Sequence, residues 1–434
     1  MQIPELYKLF LQFPSVQTDT RKIKKDDLFF ALKGPNFNGN QFAKQAIAAG
    51  AAYAVVDEEL NEPGDRIIRV DDVLLTLQEL AHHHRKQFIF AADTQIPFIA
   101  ITGSNGKTTS KELVHAVLAS VYKTYTTEGN LNNHIGIPLT LLKIKQDAEI
   151  AVIEMGANHQ KEIEGYCSYT MPTYGIITNC GKAHLEGFGG EEGIRKGKGE
   201  LFDYLRLHDG TAFVMWDYDY LQEMSSGIKS IVTYGTHNAR VTGTIKNSSE
   251  LLEVSIAAGA DIDIIKTNLV GAYNLPNVLL AVAIGKYFKV PDEKIKQALE
   301  NYMPSNSRSQ LLEKDGNKII LDAYNANPSS MKAAIENFVN MSASTGSEKV
   351  LMLGGMMELG TESLHEHQAL IDLINKYRWK NVVLVGGDFS KVNHSYLYFD
   401  NSSKAKEWFK EQHFNLTNIL IKGSRSTQME KVLE

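Results

Sequence analysis

The chain has 434 residues, 43% hydrophobic and 22% charged, the proportions of a globular protein with material for more than one core. Its 45 basic and 51 acidic residues leave a formal charge of −6, which argues against a general nucleic-acid binder, and no run of ~18 apolar residues is present to span a membrane. Cys167 and Cys180, the only cysteines, give no disulfide framework, and residues 1–14 lack the basic and apolar regions of a secretory leader, so a cytoplasmic protein, taken as a monomer, is expected.

At ~100–200 residues per domain the length implies two to three domains. Residues 27–32 and 51–57 read as buried strands, 40–50 as a helix ended by glycine, and 74–88 as a helix. His82, His83 and His84 fall in that helix, where consecutive residues face different directions, so a solvated face is expected there, not a metal site. The chain turns polar at 92–95, before Pro97. From there the pattern is strand (98–102), glycine loop (103–106) and helix (107–122), with later strands at 150–154 and 174–179. A second polar cluster at 304–309 is followed by strands at 319–322, 349–353, 382–386 and 418–421, with helices between them. His365 and His367 are expected near the start of one of these helices. The expected fold is α/β in three parts. Residues 1–95 form an α/β domain, 96–308 a central phosphate-loop domain with a mostly parallel sheet, and 309–434 a Rossmann-like domain.

The strongest motif is Thr102-Gly103-Ser104-Asn105-Gly106-Lys107-Thr108-Thr109, set between a strand and a helix. Its glycines let backbone N–H groups approach phosphate oxygens, and the helix N-terminus adds positive partial charge. Lys107 can reach the β- and γ-phosphates of ATP, and the Thr108 hydroxyl can bind Mg²⁺. The longer Walker pattern is absent, because position 101 is isoleucine. Glu154 ends an apolar strand, where a side chain in an open α/β sheet points into the ligand crevice. His184 follows in Asn179-Cys180-Gly181-Lys182-Ala183-His184, and Lys198 in Lys196-Gly197-Lys198-Gly199-Glu200. Taken singly, Glu154 also reads as a solvated strand cap, His184 as a structural loop residue and Lys198 as a surface lysine. A phosphate loop gathers negative charge, and metal ions bridging the β- and γ-oxygens offset it.

Asn274 and Asn277 can offer amide pairs to an adenine edge, and Asp322, at a strand end, can accept from ribose hydroxyls. Arg308 either reaches the γ-phosphate or is a linker arginine in water. Thr20 and Arg21 can hold a uridine diphosphate. Asn325 and Asn327 either bind ligand or form a turn.

In chain order these motifs resemble the Mur ligase family, which phosphorylates a carboxylate with ATP and lets an amine displace the phosphate. The loop alone is also similar to that of folylpolyglutamate synthetases. Thr18-Asp19-Thr20-Arg21 with Leu28-Phe29-Phe30-Ala31-Leu32-Lys33-Gly34, which resemble the family's N-terminal nucleotide-sugar domain, and then Gly129-Asn130-Leu131-Asn132-Asn133-His134, Glu154-Met155-Gly156-Ala157-Asn158-His159, Ala183-His184-Leu185-Glu186-Gly187-Phe188-Gly189, Asp322-Ala323-Tyr324-Asn325-Ala326-Asn327-Pro328 and Lys422-Gly423-Ser424-Arg425 carry the likeness along almost the whole chain. They favour the branch that adds D-alanyl-D-alanine to UDP-N-acetylmuramoyl-tripeptide in peptidoglycan precursor synthesis. The resemblance implies two Mg²⁺ ions, held by Thr108, Glu154, His184 and a carbamylated Lys198. It implies a catalytic set of Lys107, Glu154, His184, Lys198 and Arg308. ATP would lie on residues 103–109 with Asn274, Asn277, Asp322, Tyr324 and Asn325. The other substrates would lie on Thr20, Arg21, Asn130, Asn132, Asn133, Asn327, Lys422, Ser424 and Arg425. Lys182 and Lys196 suit the carbamate less well. Departures from the family pattern are Gly197 for alanine, Gly190 for serine, and Gly355 for the aspartate of Gly354-Gly355-Met356-Met357-Glu358-Leu359-Gly360. The alternatives are the enzyme that adds the third stem residue, a folylpolyglutamate synthetase, or, in a different class, a nucleotide-binding switch or carrier.

Overall fold

Hydrophobic runs of three to six residues, set between polar turns, become the strands of an α/β protein. The computed structural model describes residues 1–61, 64–90, 96–305, 307–341 and 348–434. The linker expected at 92–95 and Asn306 of the second expected boundary lie outside those residues. The chain divides into two compact units. One comprises 1–100, 122–156 and 162–174, the other 101–121, 157–161 and 175–434.

In the first unit, Val16–Gln17, Leu28–Phe30, Tyr53–Val56 and Ile67–Arg69 form a parallel four-stranded sheet in that order. The helix expected at 40–50 begins instead as a 3-10 turn, Gly39–Phe42, with the Asn38 side chain accepting from the Asn40 N–H at 3.0 Å. The α-helix proper is Ala43–Ala48. On the helix Val73–Phe90 the histidine run is only in part a solvated face, since His82 and His83 are half-buried and His84 is buried. Leu77, Leu80, Ala81 and Phe88 are buried, and their helical spacing carries His84 inward with them, to 4% exposure. The Tyr7 hydroxyl lies 3.0 Å from His84 Nδ1, and Nε2 lies 2.7 Å from the Ile144 carbonyl oxygen.

Nine strands make the largest sheet, in the order Ile264–Lys266, Glu253–Ala258, Val241–Asn247, Ser230–Gly235, Thr211–Met215, Tyr174–Ile177, Phe98–Thr102, Ile150–Glu154, Thr124–Thr126. Phe98–Thr102, Ile150–Glu154 and Thr211–Met215 are buried at every residue, as strands covered on both faces are. The sequence reading did not foresee the far edge, where Glu253–Ala258 pairs antiparallel with both neighbours. In the second unit the almost wholly buried helix Leu275–Tyr287 packs on the phosphate-loop helix Lys107–Ala119.

The C-terminal sheet runs Gln310–Lys314, Asn317–Asp322, Asn418–Lys422, Lys349–Gly354, Asn381–Val385, Leu397–Phe399. It is parallel apart from an edge hairpin. Asp315 (φ 52°) and Gly316 (φ 74°) form the hairpin's two-residue turn, with the paired positive φ values that Asp-Gly tolerates. Gly355 follows the strand Lys349–Gly354, and a Cβ there would stand 2.5 Å from the Gly387 Cα. The backbone at 387 occupies the space that an aspartate at 355 would need. Among the described residues, no helix is long and apolar enough to cross a membrane.

Candidate active site

The phosphate loop leaves its strand with Gly103 at φ 137° and enters its helix with Gly106 at φ 81°, conformations that side chains rarely adopt. A Cβ at Gly103 would lie 2.0 Å from Thr178 Oγ1, and one at Gly106 would lie 2.8 Å from Asn277 Oδ1. Neighbouring residues hold the loop in shape. The Ser104 N–H donates to the Asn179 carbonyl at 2.9 Å, the Asn105 N–H to Asn179 Oδ1 at 3.1 Å, and Thr178 Oγ1 to the Asn105 carbonyl at 2.6 Å. Lys107 arches back, its Nζ donating to the carbonyls of Gly103 at 2.7 Å and Ser104 at 3.1 Å. Thr108 is buried in the first turn of the helix, beside half-buried Thr109. Asn277 Nδ2 donates to Asn274 Oδ1, Asn274 Nδ2 to the Val270 carbonyl, and Ser110 Oγ to Asn277 Oδ1, at 2.8, 2.8 and 2.9 Å. Asn277 therefore holds the first turn of the phosphate-loop helix through Ser110, and Asn274 holds Asn277 from behind.

The segment after strand Tyr174–Ile177 meets the C-terminal layer. Asn327 Nδ2 donates to Asn105 Oδ1 at 2.8 Å, joining residues 222 apart. His184 is paired with Glu358, and both have left-handed backbones, φ 54° and 61°. Such conformations persist only where surrounding packing enforces them. The His184 contact lowers the pKa of the Glu358 carboxyl. Beside this segment opens a cavity of about 920 Å³, lined by Lys182, Glu186, Glu191, Thr361, Glu362 and Glu366 among others. Lys198 is not a surface lysine. It is 1% exposed, donates to the Ala157 carbonyl at 2.8 Å and lies 4.7 Å from the Phe188 ring centroid. A Cβ at Gly197 would stand 2.5 Å from Phe188 Cε1, so glycine there makes room for that ring. Burial pushes the Cys180 thiol up to about 11, against the opposing pull of Lys198 and Arg195.

The C-terminal candidates are joined to one another. The strand register sets Asp322 beside Lys422. Asp322 Oδ2 accepts from Lys422 Nζ at 2.6 Å and Oδ1 from the Ser309 N–H at 3.2 Å, while Lys422 Nζ also reaches the Asn325 carbonyl at 3.2 Å. Arg308 is half-buried, with its guanidinium 3.6 Å from the Tyr324 ring centroid, so it is not simply a linker side chain in water. Ser424 Oγ lies 3.0 Å from Ser426 Oγ, and exposed Arg425 pairs with Glu430 at 2.7 Å.

In the first unit, Glu154 is 1% exposed and accepts from Asn132 Nδ2 at 2.7 Å. Asn133 Oδ1 accepts from the N–H groups of Ile135 and Gly136 at 3.2 and 2.9 Å, and Asn130 is exposed. Thr20 and Arg21 share a 3-10 turn in which the Arg21 guanidinium donates to the Asp19 carboxylate at 2.9 and 2.8 Å. Sequence reasoning missed the bracing roles of Thr178 and Asn179 and the partners Ser329, Glu358 and Glu366. Thr178 and Asn179 had a local signal, as polar residues at the end of a buried strand.

Three family models match in turn: "Mur ligase family, catalytic domain" over residues 13–85, "Mur ligase middle domain" over 101–285, and "Mur ligase, glutamate ligase domain" over 307–412. A Bacillus subtilis relative named UDP-N-acetylmuramoyl-tripeptide–D-alanyl-D-alanine ligase is 34% identical over 431 residues, 96% of this chain and 92% of its own. A relative of the same name from Escherichia coli is 34% identical over 447 residues, covering 99% and 95%. A crystal structure of MurF from Acinetobacter baumannii superposes with a TM-score of 0.85 at 31% identity, covering 96% and 92%. With a braced phosphate loop, matching models along its length and relatives matched from end to end, the chain belongs to the Mur ligase family.

Proposed function

We propose that this chain is an ATP-dependent ligase adding D-alanyl-D-alanine to UDP-N-acetylmuramoyl-tripeptide, with release of ADP and phosphate, in peptidoglycan precursor synthesis. The observation that carries the reading is the 34% identity to two ligases of that name over 96% and 99% of the chain. The substrate carboxylate would take the γ-phosphoryl group of ATP, and the amine would displace phosphate from the resulting acyl phosphate. The loop suits a triphosphate, with a helix N-terminus directly after Gly106 and Lys107 already held over the loop carbonyls. Bound Mg²⁺ would offset the phosphate charge, and such sites use one or two protein carboxylates together with substrate phosphates. Glu154, held by Asn132, fits as one such carboxylate, and Thr108 and His184 are proposed as further ligands. A carbamate on Lys198 fits too. Burial disfavours the ammonium, and the carbamate keeps an N–H for the Ala157 carbonyl.

The domains are taken as 1–95 for the nucleotide sugar, 96–308 for ATP and 309–434 as the Rossmann-like part. The protein is taken as a cytoplasmic monomer. Thr20, Arg21, Asn130, Asn132, Asn133, Asn327, Lys422, Ser424 and Arg425 are proposed for the other two substrates, and Asn274, Asn277, Arg308, Tyr324, Asn325 and Asp322 for the nucleotide. Turnover with ATP, Mg²⁺, D-alanyl-D-alanine and the lysine or diaminopimelate tripeptide precursor is the test. ADP release should require both precursor and dipeptide, and Lys107→Ala should remove it. ATP hydrolysis that ignores both would point to a switch instead, and addition of a single amino acid or glutamate to the other ligases.

A further inference from the structure

Lys182 stands where the phosphate-loop layer meets two C-terminal helices, Pro328–Asn340 and Ser363–Ile374. The preceding carbonyl, Gly181, accepts from Ser104 Oγ of the loop at 2.6 Å. The Lys182 N–H donates to Ser329 Oγ at 2.8 Å, in the first turn of one helix. Its ammonium donates to Glu366 Oε1 at 2.8 Å on the other helix and lies 3.6 Å from Glu191. Glu366 is only 7% exposed. A carboxylate buried to that degree needs a paired charge, and breaking such a pair from one side strands the other charge. The Lys182 pKa is raised, chiefly by the hydrogen bond to Glu366. Glu366 is a reason why Lys182 suits a carbamate poorly, since an anion there would repel it.

We propose that Lys182 is a positioning residue for phosphoryl transfer. Its pair with Glu366 clamps the C-terminal helix Ser363–Ile374 onto the segment whose Gly181 carbonyl accepts from Ser104, so the working shape of the phosphate loop depends on an ion pair 184 residues apart in sequence. The proposal rests on the ligase reading. Failure of that reading would appear as an inactive wild-type chain, whereas failure of the clamp would appear only in the variants.

The test compares Lys182→Met, Glu366→Gln, the double variant and Lys182→Arg in steady-state ligation, with thermal midpoints measured alongside. The clamp predicts that each single substitution lowers kcat about tenfold or more, at a temperature well below its midpoint. The double variant should be less impaired than the product of the two singles, because neither charge is stranded. Lys182→Arg should recover most of the loss. Should Glu366→Gln fail to fold, Lys182→Met alone decides, since the Lys182 side chain is 39% exposed and its loss leaves the cores intact. A kcat within twofold of wild type in Lys182→Met, with or without a lower midpoint, overturns the proposal. So do single effects that multiply in the double variant.

Discussion

Two buried basic side chains in this protein lead to opposite expectations. His84 lies among Leu77, Leu80, Ala81 and Phe88, and burial lowers its pKa below the ordinary value of 6.5. The folded chain therefore binds fewer protons at this site than the unfolded chain does. The stability it contributes is present above pH ~6.5 and is lost as pH falls below that, by up to ~1.4 kcal/mol per pH unit. Melting between pH 7.5 and 5.5 should show a falling midpoint, and His84→Gln should flatten the slope. A residual slope is expected from His82, His83 and His367, whose pKa values burial also lowers. An unaltered slope in His84→Gln would refute this assignment. Lys198 is as deeply buried and its amine is proposed to add CO₂. Lys198→Ala should lower ligation by about 10–100-fold or more, the scale seen when a metal site loses a supporting group. Wild-type enzyme stripped of CO₂ at mildly acid pH should lose activity and regain it with bicarbonate. Activity indifferent to bicarbonate, together with an experimental density map showing no extra atoms on Lys198 Nζ, would remove the carbamate.

At the scale of elements, the helix Pro328–Asn340 shows how a cap doubles as a contact. Asn327 Oδ1 accepts from the Ser330 N–H at 2.9 Å, while its Nδ2 reaches the phosphate loop. Asn327→Ala should cost ~1 kcal/mol of stability for the lost cap and also slow ligation. Asn327→Ser keeps a capping oxygen but offers no amide for Asn105, so it should restore stability and leave turnover low. Chemical denaturation and steady-state kinetics on the two variants separate the effects, and equal turnover in Asn327→Ser and wild type would dismiss the loop contact. The sequence reading had left Asn327 between ligand and turn former. The helix end assigns it a cap, which is a local matter, and a bond to Asn105, which is not. The strand ends followed the apolar runs closely, because each buried strand needs a continuous apolar stretch. The hairpin at Asp315-Gly316 was legible in principle, and was missed because the strand reading began at 319.

For the molecule as a whole, the bonds from Asn105 to Asn327 and from Lys182 to Glu366 tie the phosphate-loop layer to the C-terminal sheet. A ligand at the loop should therefore stabilise both. Trp379 stacks on Phe338, and Trp408 packs on the C-terminal core, so their fluorescence follows the melting of that region. In a Trp216→Phe background, a non-hydrolysable ATP analogue with Mg²⁺ at ~100 times its Kd should stabilise the chain by ~2.7 kcal/mol and raise the midpoint those tryptophans report. Lys107→Ala should show no such rise. A tryptophan transition unmoved by analogue that demonstrably binds would show the C-terminal sheet to melt independently of the loop.

The phosphate loop was legible because its chemistry is local. Gly103, Gly106, Lys107 and Thr108 act through backbone conformation and a helix end that neighbouring residues create. The alternation of strand and helix was legible for the same reason, as it follows from hydrophobic period. Other features only the tertiary structure decided. His84 turned inward, Asn277 holds the phosphate-loop helix through Ser110, the space at 355 is filled by Gly387, and Lys182 has its carboxylate partner on a distant helix. Each depends on residues tens to hundreds of positions apart, and a side chain's charge or amide names what it can bond to, whereas the packing of the cores determines which partner comes within 3 Å.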